Sequence, residues 1–221
     1  MNHYQNNLDQ VIENIERARL EVSGHHIVKI VAVSKYSTQN EIKSLLDVGQ
    51  RAFGENKVQD LLEKNQNLED FPIEWHFIGH LQKNKINQLI QANPFLVHSL
   101  DSLELAEALN KRLESPMDML LQINSAKEDS KGGFDPSQAE DMYAQINEKF
   151  SNINLKGVMS IGAHSKDAKL IQNSFESTFK TFEKLQKQGA TICSMGMSSD
   201  YELAIKCGSN MVRIGSALFK A

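Results

Sequence analysis

Only two cysteines occur among the 221 residues. Cys193 and Cys207 make neither a disulfide framework nor a zinc cluster, and both are expected to be free and half-buried. Nowhere do about 18 apolar residues run together, so no membrane span is expected. The opening stretch MNHYQNNLDQVIENIERARLEVSG lacks the charged-then-apolar order of an export signal, which points to a cytoplasmic protein. Charge of one sign is also missing: the net value of −4, with signs interspersed, offers no field to gather nucleic acid or anionic lipid. No proline- or glycine-rich linker divides the chain, so a single domain over residues 1–221 is expected, as a monomer. The G-x-G-x-x-G, Walker and G-x-S-x-G patterns are absent, which removes the ordinary dinucleotide, nucleotide and serine-hydrolase readings. His76 and His80 of HFIGH lack the glutamate of HExxH and straddle a strand end, so no metal is expected.

The material that is present suits a sizeable core, with 40% hydrophobic and 24% charged residues. In LDQVIENIERARLEV, Leu8, Val11, Ile12 and Ile15 fall at helical spacing, and the helix should end near Gly24. Strand-like and helical stretches then alternate. HIVKIVAVS, RAFGE, EWHFIG, FLVHSL, DMLLQIN, LKGVMSI, TICSMGM and MVRIGSAL are eight strand candidates, separated by segments such as SLELAEALNKRLE and NSFESTFKTFEKLQKQG. Strict alternation implies parallel strands with crossover helices. Eight such units in this length fit an α/β fold of the (β/α)8 TIM-barrel type with an extra N-terminal helix better than an open doubly wound sheet. Ser125 to Gln138 is the longest polar stretch and reads as a mobile loop at the barrel mouth.

Three places could carry chemistry. Val31, Val33 and Lys35 share a face by alternation, so Lys35 should project from the C-terminal end of the first strand into an apolar mouth. Burial there would favour the neutral amine, which attacks carbonyls; the plainer alternative is a lysine snorkelling at a strand end. SMGMSSDYELAI and VRIGSALF place Gly and Ser where the seventh and eighth strands turn into helices, the usual phosphate grip of such barrels. Arg213 should point inward and needs an acceptor, either a phosphate or heteroaromatic nitrogen from a ligand or an internal carboxylate such as Glu55. Trp75 alternates away from His76 and reads as packing.

Taken in order along nearly the whole chain, AVSK, FGENKVQDL, WHFIGHLQKNK, HSLDS, SKGG, LKGVMSI, SMGMSSDYELAI and MVRIGSALF resemble the YggS/PROSC family of pyridoxal 5′-phosphate (PLP) homeostasis proteins, similar in fold to the N-terminal barrel of alanine racemase. The resemblance implies that Lys35 forms the Schiff base with PLP. Ser198, Gly215 and Ser216 would hold the phosphate, and Arg213 would face the pyridine nitrogen. Asn56 and His76 would lie near the ring. Ser216 stands where threonine is frequent in the family, which keeps the hydroxyl, and SIGAHSKD after the sixth strand is more polar than the family pattern leads one to expect.

An arginine beside the pyridine nitrogen discourages protonation there and makes the ring a poor electron sink, so the implied role is cofactor buffering or delivery and amino- and keto-acid balance, without robust turnover. PLP-dependent apo-enzymes are the candidate recipients. The sequence ends at Ala221, leaving no room for the second domain that supplies an opposing base in alanine racemase. Two rivals stay open: a minimal PLP-dependent amino-acid racemase or decarboxylase, and a Schiff-base aldolase acting on sugar phosphates.

Overall fold

In the computed structural model, which describes residues 3–126 and 132–220, eight parallel strands close on themselves in sequence order. They are β1 (Lys29–Val33), β2 (Ala52–Glu55), β3 (Glu74–Phe77), β4 (Leu96–Leu100), β5 (Met117–Ile123), β6 (Ile153–Ser160), β7 (Ile192–Met197) and β8 (Met211–Ile214). The ring is sealed where β1 pairs with β8, Lys29 opposite Met211 through Ala32 opposite Ile214. Each expected strand is present, but the first begins at Lys29 rather than His26. Ile27 precedes the ring and is 81% exposed, so its β-branched side chain has no sheet to join.

The outer helices are α1 (His3–Leu20), α2 (Gln39–Asp47), α3 (Val58–Asn67), α4 (Ile86–Ala92), α5 (Leu103–Asn110), α6 (Ala139–Lys149), α7 (Ala168–Leu185), α8 (Tyr201–Lys206) and α9 (Ser216–Phe219). Local chemistry sets where several of them start. Thr38 and Glu41 form a reciprocal capping box on α2, while Ser102 and Asp167 cap α5 and α7. Because α8 and α9 are short, they cannot cover their share of the sheet, and α1 packs against both. Its Tyr4, Leu8, Val11, Ile15 and Ala18 are buried at three-to-four spacing. Asn7 and Asn14 fasten it, the first donating to the carbonyls of Leu218 and Lys220 and the second to the Tyr201 hydroxyl.

The alternation of the strands separates two apolar clusters. Val31, Ala52, Leu96, Leu120, Met159 and Met211 fill the inside of the ring. A larger cluster, including Ala32, Phe53, Trp75, Phe77 and Val97, lies between sheet and helices. The ring is therefore a packed core rather than a pore, and ligands can reach it only from its ends. Cys193 corrects one expectation: it is fully buried in the outer cluster because it has the opposite phase to Ser194, and only Cys207 is half-buried. Of the long polar stretch, residues 127–131 lie outside the described residues; after them, Phe134 bridges back to Ile123 beside β5.

The packing of α1 has a measurable consequence. Ile15→Ala should cost about 2–4 kcal/mol in urea unfolding. Ile12→Ala, three residues earlier on the solvent side and 43% exposed, should stay within about 0.5 kcal/mol. Equal effects at the two positions would mean that α1 does not pack as described.

Candidate functional site

The C-terminal ends of the strands gather most of the residues singled out from sequence. Lys35 lies in the turn after β1, two residues past the strand, and is half-buried. Its Nζ sits 4.9 Å from the centroid of the Tyr36 ring, which is itself 88% exposed. Among the described residues it makes no hydrogen bond or ion pair. The mouth at this point is thus more open than the apolar setting expected from sequence.

The residue before it is held far more tightly. Ser34 is fully buried; its N–H donates to the Gly54 carbonyl at 3.0 Å and its Oγ to Glu55 Oε1 at 2.6 Å. Its carbonyl accepts from Lys64 Nζ at 2.7 Å and from the Ser37 N–H at 2.8 Å. Lys64 also meets Glu55 Oε1 at 2.8 Å. Glu55 therefore pairs with a lysine of α3 and is no partner for Arg213. It shares the phase of Phe53 and faces the helices, whereas Arg213 faces the interior. Burial pushes the Glu55 carboxyl above its ordinary value, against the lowering effect of Lys64 and Ser34.

On the other side of β1, the loops after β7 and β8 form a small cradle. The N–H groups of Gly215 and Ala217 converge on Ser198 Oγ, at 3.1 and 3.4 Å. A Cβ built on Gly215 would meet Val33 at 3.5 Å, so this cradle adjoins the strand that leads to Lys35. Gly196 bends β7 at φ +93°, with Ala204 and Tyr201 too near for any side chain. Asp200 then accepts from the Met197 N–H at 2.7 Å. Ser216 is exposed at the rim. Asn56 follows β2, half-buried, and its carboxamide makes no hydrogen bond among the described residues. Its backbone runs against Gly79, where a Cβ would fall 1.9 Å from the Asn56 carbonyl oxygen, so only glycine fits that crossing.

Beneath the mouth a polar chain crosses the interior. Arg213 is 5% exposed and makes three hydrogen bonds, to the Ser194 carbonyl (2.9 Å), Ser194 Oγ (2.7 Å) and the Ser160 carbonyl (2.8 Å). All three acceptors are neutral. Desolvation lowers the guanidinium to about 10, with Asp200 opposing the shift, and it remains charged at neutral pH. Ser194 Oγ lies 3.2 Å from His98 Nδ1, and His98 Nε2 lies 2.9 Å from His76 Nδ1. The donor count fixes the direction. If Ser194 donates to His98, and His98 to His76, only the His76 Nε2–H is left without an acceptor. The reverse order would strand two groups, the serine proton and the His76 lone pair. In the first order the stranded N–H belongs to a ring whose centroid is 5.7 Å from that of Phe95. His76 stands beside Phe95, the residue before β4, and is linked to Arg213 through His98 and Ser194.

His98, Ser194 and Lys64 were not singled out from sequence. The first two had a signal, since each is polar and in phase with inward-facing apolar neighbours of its strand, Leu96 and Ile192. Lys64 had none: it is one lysine among several on an amphipathic helix. Among the described residues no three His, Cys, Asp or Glu side chains are grouped to hold a metal ion, and no helix is long and apolar enough to cross a membrane.

Residues 6–221 match the family model described as alanine racemase, N-terminal domain. A pyridoxal phosphate homeostasis protein of Helicobacter pylori is 52% identical over 220 residues, covering 98% of each chain. PipY of Synechococcus elongatus, solved with PLP bound, superposes with a TM-score of 0.78 at 32% identity, covering 93% of this chain and 99% of its own. Alanine racemase from Corynebacterium glutamicum, at 17% identity and a TM-score of 0.68, covers 96% of this chain and 60% of its own, and shares the fold.

The neutral histidines give the fold an acid liability. Desolvation, helped by Lys29, lowers His76 from 6.5 to about 3, and burial lowers His98 well below its ordinary value. Between these limits the unfolded chain binds more protons than the folded one, so acid favours unfolding. The contribution is complete above about pH 6.5 and is lost as pH falls toward 3, by up to about 1.4 kcal/mol per pH unit for each histidine. The raised Glu55 carboxyl acts in the opposite sense but is common to all variants of the histidines. Urea midpoints measured from pH 7 to pH 5 should fall less steeply in His76→Gln than in the parent; parallel slopes would show that His76 is not held neutral.

Proposed function

The chain belongs to the alanine racemase N-terminal domain family, and from that membership we propose that it binds PLP on Lys35 and takes part in the intracellular homeostasis of the cofactor and in amino- and keto-acid balance. The observation that carries this reading is a charged guanidinium inside the ring hydrogen-bonded to neutral partners only, beneath a mouth where an amine and two converging N–H groups follow the adjoining strands β1 and β8. A buried cation with no carboxylate in hydrogen-bond contact, Asp200 acting on it only from further off, favours a ligand with a lone pair or negative charge. The residues present fit PLP in that respect. When bound, the cofactor supplies an aldehyde that condenses with an amine with loss of one water, and a ring that can draw electrons from the attached carbon.

In this reading Lys35 provides the amine. The Gly215 and Ala217 N–H groups receive the phosphate, with Ser198 turning from acceptor to donor and Ser216 closing the rim. Arg213 directs its charge at the ring nitrogen; a group with no acceptor capacity cannot share a proton donated by that nitrogen, so the ring stays a weak electron sink. Asn56 borders the ring from the β2 loop. His76 acts at one remove, through His98 and Ser194, on the orientation of Arg213. The reading is therefore of a binding and delivery protein in the cytoplasm, monomeric, that hands the cofactor to apo-enzymes rather than an enzyme with its own cycle.

Purified protein mixed with PLP should show a visible absorption band that Lys35→Ala abolishes, and borohydride reduction followed by peptide mapping should place the pyridoxyl mass on Lys35. The mass on another lysine, or none, would refute the attachment. Ser198→Ala should weaken cofactor binding about tenfold, the value of one hydrogen bond to a charged group. Sustained racemisation or decarboxylation of amino acids by the purified protein would replace the delivery reading with the enzyme one.

A further inference from the structure

The tightest polar packing near the mouth surrounds Ser34, the residue before Lys35, rather than Lys35 itself. The Ser34 carbonyl belongs to the same planar peptide unit as the Lys35 nitrogen, so whatever fixes that oxygen fixes the plane from which the lysine departs. Two donors fix it, Lys64 Nζ at 2.7 Å and the Ser37 N–H at 2.8 Å. The hydroxyl of Ser34 is tied to Glu55 Oε1 at 2.6 Å, and the same oxygen holds Lys64 at 2.8 Å. These three side chains come from β1's end, β2's end and the middle of α3, and they close into a triangle with the peptide plane at one corner.

As a stabilising device this triangle is poor. The Glu55 side chain is fully buried and that of Lys64 is 13% exposed, and Glu55 Oε2 is buried with no hydrogen-bond partner among the described residues. Incompletely satisfied buried ion pairs are commonly matched or bettered in stability by apolar side chains of the same volume, and their best-attested use is to specify one arrangement. On the sheet side the sequence neighbours Phe53 and Leu61 are fully buried and apolar, whereas Lys64 also borders a polar surface cleft with Ser37, Thr38, Asp60 and Glu63, so its methylene stem is the part an apolar side chain would replace.

We infer that Glu55 and Lys64 are positioning residues for Lys35: through Ser34 they hold the turn so that the amine faces the anion cradle beside Val33, and neither touches the cofactor. This rests on the reading that Lys35 is the attachment point. It assigns α3, on the outside of the barrel, a part in setting the reactivity of an amine at the mouth.

Three proteins separate position from stability. The double variant Glu55→Leu/Lys64→Met should melt at or above the parent temperature, yet bind PLP at least tenfold more weakly and with a displaced absorption maximum. Ser34→Ala, which removes one side of the triangle, should weaken binding about threefold with its melting temperature little changed, and decides alone if the double variant fails to fold. Lys64→Arg, which keeps the charge and the donors, should restore binding toward the parent value. Parent affinity and spectrum in a folded double variant, or in Ser34→Ala if that must decide, would overturn the inference. The parent protein is mapped first: a pyridoxyl mass away from Lys35 refutes the attachment reading before any variant is compared and takes this inference with it, whereas a mass on Lys35 with unperturbed variants refutes the positioning role alone.

Discussion

A permanent cation enclosed by strands is the constraint to which the interior of this barrel conforms. Arg213 could have been neutralised by a carboxylate from a facing strand; instead its acceptors are two carbonyls and a hydroxyl. Neutral oxygens satisfy the donors without cancelling the charge, so the field of the guanidinium stays available at the mouth. The neighbours follow from that choice. Ser194 must accept from arginine and so donates onward, His98 must accept at Nδ1, and both histidines are held neutral by burial beside a positive charge. A protonated imidazole there would place a second cation in the same closed space.

The sheet also separates charges by side. Period-two alternation sends Arg213 inward and Glu55 outward, so, among the described residues, the fully buried carboxylate of Glu55 cannot reach the buried guanidinium of Arg213. Glu55 takes Lys64 instead. Two cations thus serve different ends: Lys64 is matched outside the ring, where it works on backbone geometry, and Arg213 is left unmatched inside, where a ligand can supply what the protein withholds.

Much of this was legible in the chain. Alternation in IVKIVAVSK predicted which residues face inward, and it holds for Val31, while Ser34 and Ala32 take the other side. The Gly–Ser signature of the β7 and β8 ends marks the cradle, and at Gly196 the positive φ and the nearness of Ala204 and Tyr201 leave no room for a side chain. The alternation rule could also have dismissed the Glu55 and Arg213 pairing, since Glu55 has the phase of Phe53. It should likewise have warned that Cys193 and Ser194 face opposite ways, which is why the cysteine is sealed against the helices. Lys64 was beyond such rules. Its partner Ser34 is 30 residues away, and nothing in VQDLLEKNQN distinguishes a lysine that reaches the sheet from one in water.

The same contrast bears on how a protein can hold a reactive cofactor without consuming it. Attachment needs an amine in a fixed direction and an anion grip at a fixed distance, and in the proposed reading both would be backbone properties: a pinned peptide plane on one loop and two N–H groups on the next. Turnover needs more, namely side chains that exchange protons with the attached carbon and a ring nitrogen able to take up charge. In the proposed reading, a guanidinium opposite that nitrogen would work against the second requirement. On that reading the geometry serves direction and grip, and the buried guanidinium, hydrogen-bonded to neutral oxygens only, would favour keeping the cofactor over using it.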